Sequence, residues 1–261
     1  MTDRAHRKNI LALGVLALAA LPALLPAAKA PKGISPQARF EAGLPPDAPK
    51  KLSDLYKFFT KTVQEGLGAE VQSSSVRVTG RSWELIRDGK FPEVEISLKP
   101  FEAQGIKFDK GEFLFRRMEV DSPALIQWKL KLKEVREVES RLVFTLRSLA
   151  KRLSDAAGAE IKLQTDTEEQ LILLSGPGAF CAIPCAVEAR CQLVWDENAK
   201  TLRLKTLGQS FGGHEIPGWL WWLGRSPVPQ APILDFGFSW IPFNIQEVHA
   251  GWDQVNLSTN W

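Results

Sequence analysis

Gly208-Gln209-Ser210-Phe211-Gly212, with His214 two residues on, is the stretch of this chain that comes nearest to a catalytic pattern. A serine between spaced glycines becomes a nucleophile when a strand delivers it to a strained turn and a helix follows. Here Gly213, His214, Glu215, Ile216 and Pro217 follow, and they open no good helix. A triad histidine would also come from elsewhere in the fold. A glycine-rich loop accounts for the stretch, and an esterase acting through Ser210 stands as the remote alternative. Beyond His6, the chain holds only His214 and His249. No histidine pair has metal-ligand spacing, so neither a metal nor another cofactor is expected. Carboxylates such as Glu93 and Glu95 alternate with apolar residues, as on the wet face of a strand, and no enzymatic activity is expected of them.

Cys181, Cys185 and Cys191 are the three cysteines. In an oxidising compartment a disulfide between Cys181 and Cys185 would pin a hairpin and leave Cys191 as a buried thiol. Three reduced, small hydrophobic side chains are the alternative, because an odd count leaves the framework open.

Aromatic residues offer a different chemistry. Trp219, Leu220, Trp221 and Trp222 are consecutive, Arg225 follows, and most of the nine tryptophans lie after residue 210. An indole has an apolar body and one donor, which suits it to a membrane interface as well as to a core. The cluster reads either as a loop that dips into the interface, where Arg225 could meet a phosphate, or as a lid over one end of the fold.

The elements that must position these groups are mostly strands. Val94, Ile96 and Leu98 alternate with Glu95, Ser97 and Lys99, and Trp128, Leu130 and Leu132 alternate with Lys129, Lys131 and Lys133. Each run has the period of a strand covered on one side. These six apolar residues are the candidates for lining an apolar cavity, with ordinary core as the alternative for each. The lysine row reads as a solvated face or protected edge, or else as a patch for anionic headgroups. Two amphipathic helices are expected. One is capped by Ser53 and runs to Gly68, and the other starts after Thr145 and ends at Gly158. A short helical turn over Trp83, Leu85 and Ile86 should stop at Gly89. Gly105 and Gly111 should then separate further extended runs, Ile106 to Phe108 and Phe113 to Val120. The pattern predicts an α+β fold with a single curved, mostly antiparallel sheet.

The net charge of +3 resides in the first thirty residues, where Arg4, Arg7, Lys8 and Lys29 outnumber Asp3. The balanced remainder has no footprint for nucleic acid. The same thirty residues combine a basic head, an apolar run from Ile10 to Leu25 and Ala28-Lys29-Ala30, which is the pattern of a cleaved secretory signal. An uncleaved anchor is the alternative. Residues 31–50, with Pro31, Pro36, Pro45, Pro46 and Pro49, read as a disordered lead, and residues 51–261 as one domain. Either reading of the signal puts the domain outside the cytoplasm, in a periplasm or its equivalent.

Leu85, Ile86, Gly89, Phe91, Val94 and Ile96, then Gly105, Ile106 and Phe108, then Phe115, Met118 and Val120, together resemble the LmeA-like family of bacterial envelope phospholipid-binding proteins. The resemblance runs from about Leu67 to Leu257, with Leu146 to Leu153 similar to the family's central short helix and Phe243 to Leu257 to its last hairpin. It implies a tubular, TULIP-like lipid-binding fold and a phospholipid or related amphiphile as ligand. The tryptophan cluster adds a membrane surface as expected partner, and no covalent chemistry is expected.

Overall fold

The computed structural model describes residues 35–259, apart from 72, 227, 230 and 244. The expected signal segment lies outside the described residues. In chain order the first half gives α1 (Pro36–Ala42), α2 (Leu52–Leu67), β1 (Ala69–Val71), β2 (Ser74–Val78), α3 (Ser82–Asp88), β3 (Lys90–Leu98), β4 (Phe101–Ala103), β5 (Ile106–Val120), α4 (Ser122–Ile126), β6 (Leu132–Thr145) and α5 (Leu146–Ala157). The second half gives β7 (Lys162–Asp166), β8 (Leu171–Phe180), β9 (Ile183–Asp196), β10 (Thr201–Phe211), β11 (His214–Ile216), a 3-10 helix (Gly218–Leu223), β12 (Gly224–Arg225), β13 (Leu234–Asp235), β14 (Glu247–Ala250) and β15 (Gln254–Ser258).

The fold is α+β, its strands mostly antiparallel, with a curled half-barrel sheet. The expected single sheet is corrected to two. β1 to β6 join the C-terminal pair β14 and β15 in an eight-stranded sheet, while β7 to β13 form a seven-stranded one. The return of β15 to pair with β6, from Gln254↔Thr145 to Ser258↔Arg141, extends the first sheet with chain more than a hundred residues away in sequence. Period-two alternation shows which face of a strand is buried but not which distant strand it meets.

Helix punctuation follows the local chemistry. In α3 Leu85 and Ile86 are buried, and Gly89 ends the helix at φ 65°. In α5 Leu146, Leu149 and Leu153 are buried, the Thr145 hydroxyl accepts the Ser148 N–H, and Gly158 takes φ 65°. α2 buries Leu55, Phe58, Phe59, Val63 and Leu67 and ends at Gly68. Its start is set by Asp54 rather than by Ser53: the Asp54 carboxylate accepts the backbone N–H groups of Lys50 and Lys51 at 2.9 Å each. Those two bonds hold the Asp54 carboxyl below the usual carboxylate range. A depressed folded-state pKa gives stability that is complete above the unfolded value of about 3.9 and fades as pH falls through the folded one. Asp54→Ala will therefore cost about 1 kcal/mol at neutral pH. In urea titrations the gap between wild type and variant will be flat from about pH 7 to 5 and shrink below about pH 4.

From residue 35 on, the part of the expected disordered lead that lies among the described residues has ordered structure. Ser35 accepts the Ala38 N–H, Pro36 sits in the first turn of α1, and Ala48 is buried. A capping serine followed by a proline presets a helix start, whatever the proline content around it.

One continuous core joins the two sheets. Phe113 of β5 meets Phe243 edge-on at 6.1 Å, and Phe243 stacks on Phe236 at 4.5 Å and packs on Trp195 of β9 at 6.3 Å. β5 runs unbroken through Gly111, where two runs were expected. The glycine is there for space: a Cβ would stand 2.9 Å from the ring of Phe101, which itself stacks on Phe108 at 4.8 Å.

Candidate functional site

One end of the second sheet is built to display apolar side chains. β8 and β9 are joined by a two-residue turn in which Cys181 and Ala182 take φ 50° and 65°, with Phe180 opposite Ile183. Two left-handed residues give the tight hairpin whose twist matches its strands. Against this hairpin lies β12, with Gly224 opposite Phe180 and Arg225 opposite Ala179. A Cβ on Gly224 would strike the Phe211 ring, and one on Gly178 would strike Val187 and the Arg225 carbonyl. Two glycines thus let the backbones close, and the Cys181 N–H donates to the Leu223 carbonyl at 3.0 Å.

The approach fixes the helix Gly218–Leu223 beside the hairpin tip. The cluster was expected as a loop or a lid, and its backbone is a 3-10 helix. In a 3-10 helix residues i and i+3 eclipse, so Trp219 and Trp222 fall on one side, and they are 74 % and 77 % exposed. Trp221 turns inward, and its Nε1–H donates to the Ile216 carbonyl at 2.9 Å. Leu220 is half-buried. Ile183 at the neighbouring tip is 69 % exposed, and Phe180 packs on Phe211 at 5.2 Å beneath it. Three large apolar side chains therefore stand in water on a rigid, hydrogen-bonded end, the kind of patch that marks an interaction surface.

A groove of about 810 Å³ runs inward from this end, between β10 and the chain that carries Trp221, Arg225, Ser226 and Val228. Arg203, Lys205 and Arg225 line it together with Leu204, Trp221 and Trp222. A second groove, about 740 Å³, is lined by Lys57, Phe58, Lys61, Trp128, Leu130 and Trp240.

The expected lining residues separate. Val94, Ile96 and Leu98 are 0, 0 and 2 % exposed and belong to the core, whose neighbouring rings Phe59 and Phe91 meet at 5.2 Å. None of the three borders either groove. Trp128, Leu130 and Leu132 do not form the alternating strand that was expected, since β6 begins only at Leu132. α4 ends just before them. The Lys129 N–H reaches back to the Ala124 carbonyl and the Trp128 N–H to that of Leu125, both at 2.9 Å, with Trp128 at φ 59°. That closing motif puts a left-handed residue where the strand would have to start. The Trp128 indole, 39 % exposed, donates to the Asp47 carbonyl at 2.6 Å and lies 6.3 Å from Phe58. Lys129, Lys131 and Lys133 remain on the surface.

Ser210 lies inside β10, opposite Glu188 on one side and Glu215 on the other, and the turn beyond it leads to β11 rather than to a helix. The strained elbow is absent at this serine. Glu93 faces Arg116 across the sheet and Glu95 faces Arg77, so these carboxylates are engaged in cross-strand pairs. Among the described residues no group of three His, Cys, Asp or Glu side chains gathers as a metal site, and no described helix is long and apolar enough to cross a membrane.

The Cys181–Cys185 bridge is corrected, because all three cysteines are free. Three residues of strand at about 3.3 Å each separate the Ala182 turn from Cys185, and a disulfide tolerates Cα atoms at most about 7 Å apart. Cys191 is buried, and burial pushes its thiol up to about 11. Cys181 is exposed on the turn. A thiol reagent at pH 8 will label Cys181 rapidly and leave Cys191 untouched until denaturant is added. Loss of the fast phase in Cys181→Ser checks the assignment.

Comparison with protein-family models, with curated proteins and with solved structures finds no match. The resemblance to the LmeA-like family rests on the residues that suggested it, and the site must speak through its own chemistry. Ile183, Arg203 and Lys205 were missed in the sequence. Arg203 and Lys205 alternate with Leu202 and Leu204, which signalled two cations on one strand face, whereas nothing near Ile183 marked it as a hairpin tip.

Proposed function

We propose that this chain is an extracytoplasmic lipid-binding protein that docks on a membrane surface through the end bearing Trp219, Trp222 and Ile183, and holds a phospholipid or similar amphiphile there without covalent chemistry. The observation that carries this is the pair of indoles on one side of a 3-10 helix, both more than 70 % exposed and held by backbone bonds to a hairpin tip. Indoles settle at the headgroup level of a bilayer, and an apolar rim on a rigid support loses little entropy when it inserts.

The ligand position differs from the interior trough implied by the family resemblance. Val94, Ile96 and Leu98 are packed by protein, so the amphiphile belongs in a groove at the surface. A scaffold that docks on a protein through the same indoles is the second reading, and the filled core favours it over an interior carrier. Lipid extraction and mass spectrometry of the purified protein separate the two. The lipid-binding proposal expects a co-purifying amphiphile near one per chain, and a scaffold carries none.

A further inference from the structure

We propose that the groove between β10 and the chain that carries Trp221, Arg225, Ser226 and Val228 recognises the phosphate-bearing headgroup of an anionic lipid, with Arg203, Lys205 and Arg225 as its ligands; this rests on the lipid-surface function proposed above. The site starts from an interrupted sheet edge. β10 pairs with β13 at Thr201 and Leu202 and with β11 from Gln209 to Phe211. Among the described residues no strand covers Arg203 to Gly208 on that side.

The opposite wall is anchored rather than loose. The Ser226 hydroxyl accepts from Gln209 Nε2 at 3.1 Å and from the Val228 N–H at 3.2 Å, which ties the wall to β10 and keeps a space of about 810 Å³ open between them.

The lining is charge-selective. Arg203 and Lys205 are two residues apart on one strand, so their side chains leave the same face about 7 Å apart, and Arg225 comes from β12. None of the three forms an ion pair with a described residue, and all three are exposed. Arg203 donates through Nε to the Thr201 hydroxyl at 3.2 Å, which orients its fork and leaves the terminal Nη groups for a bidentate anion. The single carboxylate of the groove, Asp196, already accepts the Ala199 N–H at 3.0 Å. A net positive groove results in a chain whose charge is otherwise balanced, so attraction to an anion here is local rather than a property of the whole protein. Trp222 belongs both to the groove and to the exposed end, so a headgroup held by the cations lies at the depth where that indole meets acyl chain.

Vesicle sedimentation tests the assignment with phosphatidylcholine vesicles alone and with vesicles containing phosphatidylglycerol. Wild type will favour the anionic vesicles by about tenfold or more. Arg203→Gln/Lys205→Gln will abolish that preference while leaving the melting temperature unchanged. Lys57→Gln/Lys61→Gln, in the other cationic groove, will keep it. Preference surviving in Arg203→Gln/Lys205→Gln, or lost equally in Lys57→Gln/Lys61→Gln, overturns the site. Inorganic phosphate binding through these residues, without any vesicle preference, overturns it in favour of a soluble phosphate compound. Failure of wild type to bind either vesicle instead strikes at the proposed function itself.

Discussion

Trp219→Ala/Trp222→Ala will lower the partition of this protein onto phosphatidylcholine vesicles by about 100-fold. Burying a large apolar side chain is worth about 1.5–3 kcal/mol, and about 1.4 kcal/mol is tenfold in affinity. The lower figure applies to each ring, because each already hides about a quarter of its surface and an interface covers only part of the rest. The double variant will melt as wild type does, since neither ring belongs to the buried core. Trp221→Ala behaves in the opposite way. Its indole is half-buried and bonded to the Ile216 carbonyl, so its loss loosens the helix and lowers stability as well as binding. Sedimentation paired with thermal melts distinguishes the two effects. Equal loss of binding with any single exposed residue replaced, Trp252→Ala for instance, would point to nonspecific adsorption.

The second large effect lies in the core. Phe115→Ala will destabilise the fold by about 3–5 kcal/mol. Phe115 is 1 % exposed, stacks on Trp240 at 5.9 Å and on Phe113 at 6.4 Å, and faces Val94 on β3 and Val138 on β6. Truncation there removes a ring from the middle of three strands and leaves a void that the surrounding rings cannot close. Urea unfolding gives the number. Were the ring the wall of a lipid trough instead, its removal would enlarge the trough at small cost and raise the lipid carried per chain, so the same variant separates a packed interior from a hollow one.

What the sequence disclosed was local. α3 and α5 could be placed because a capping threonine, a buried stripe at helical spacing and a left-handed glycine all act within a turn or two of the residues concerned. The burial of Val94, Ile96 and Leu98 followed from alternation alone. Long-range matters stayed hidden: nothing in β15 announces that it pairs with β6, so two sheets looked like one. Local errors arose where one residue type serves two purposes. Gly111 looked like a break, yet it makes room for the Phe101 ring. Trp128 looked like the start of a strand because the following residues alternate, whereas it takes the left-handed position that closes α4, a place usually left to glycine. At the candidate site the indoles were visible, but their presentation was not. Four apolar residues on an extended chain would point both ways, and the 3-10 turn aligns Trp219 with Trp222. Arg203 and Lys205, which line the groove with Arg225, lie on β10 ahead of the tryptophan cluster, and nothing local shows that the chain bearing Trp221, Trp222 and Arg225 returns beside that strand.

Insertion of Trp219 and Trp222 into lipid is tested most directly by tryptophan fluorescence with vesicles whose acyl chains carry bromine near the glycerol. Wild type will be quenched on binding. Trp219→Phe/Trp222→Phe will still bind the vesicles but lose most of that quenching. Unquenched emission from wild type bound to brominated vesicles, or quenching unchanged in the phenylalanine variant, would contradict docking through this end.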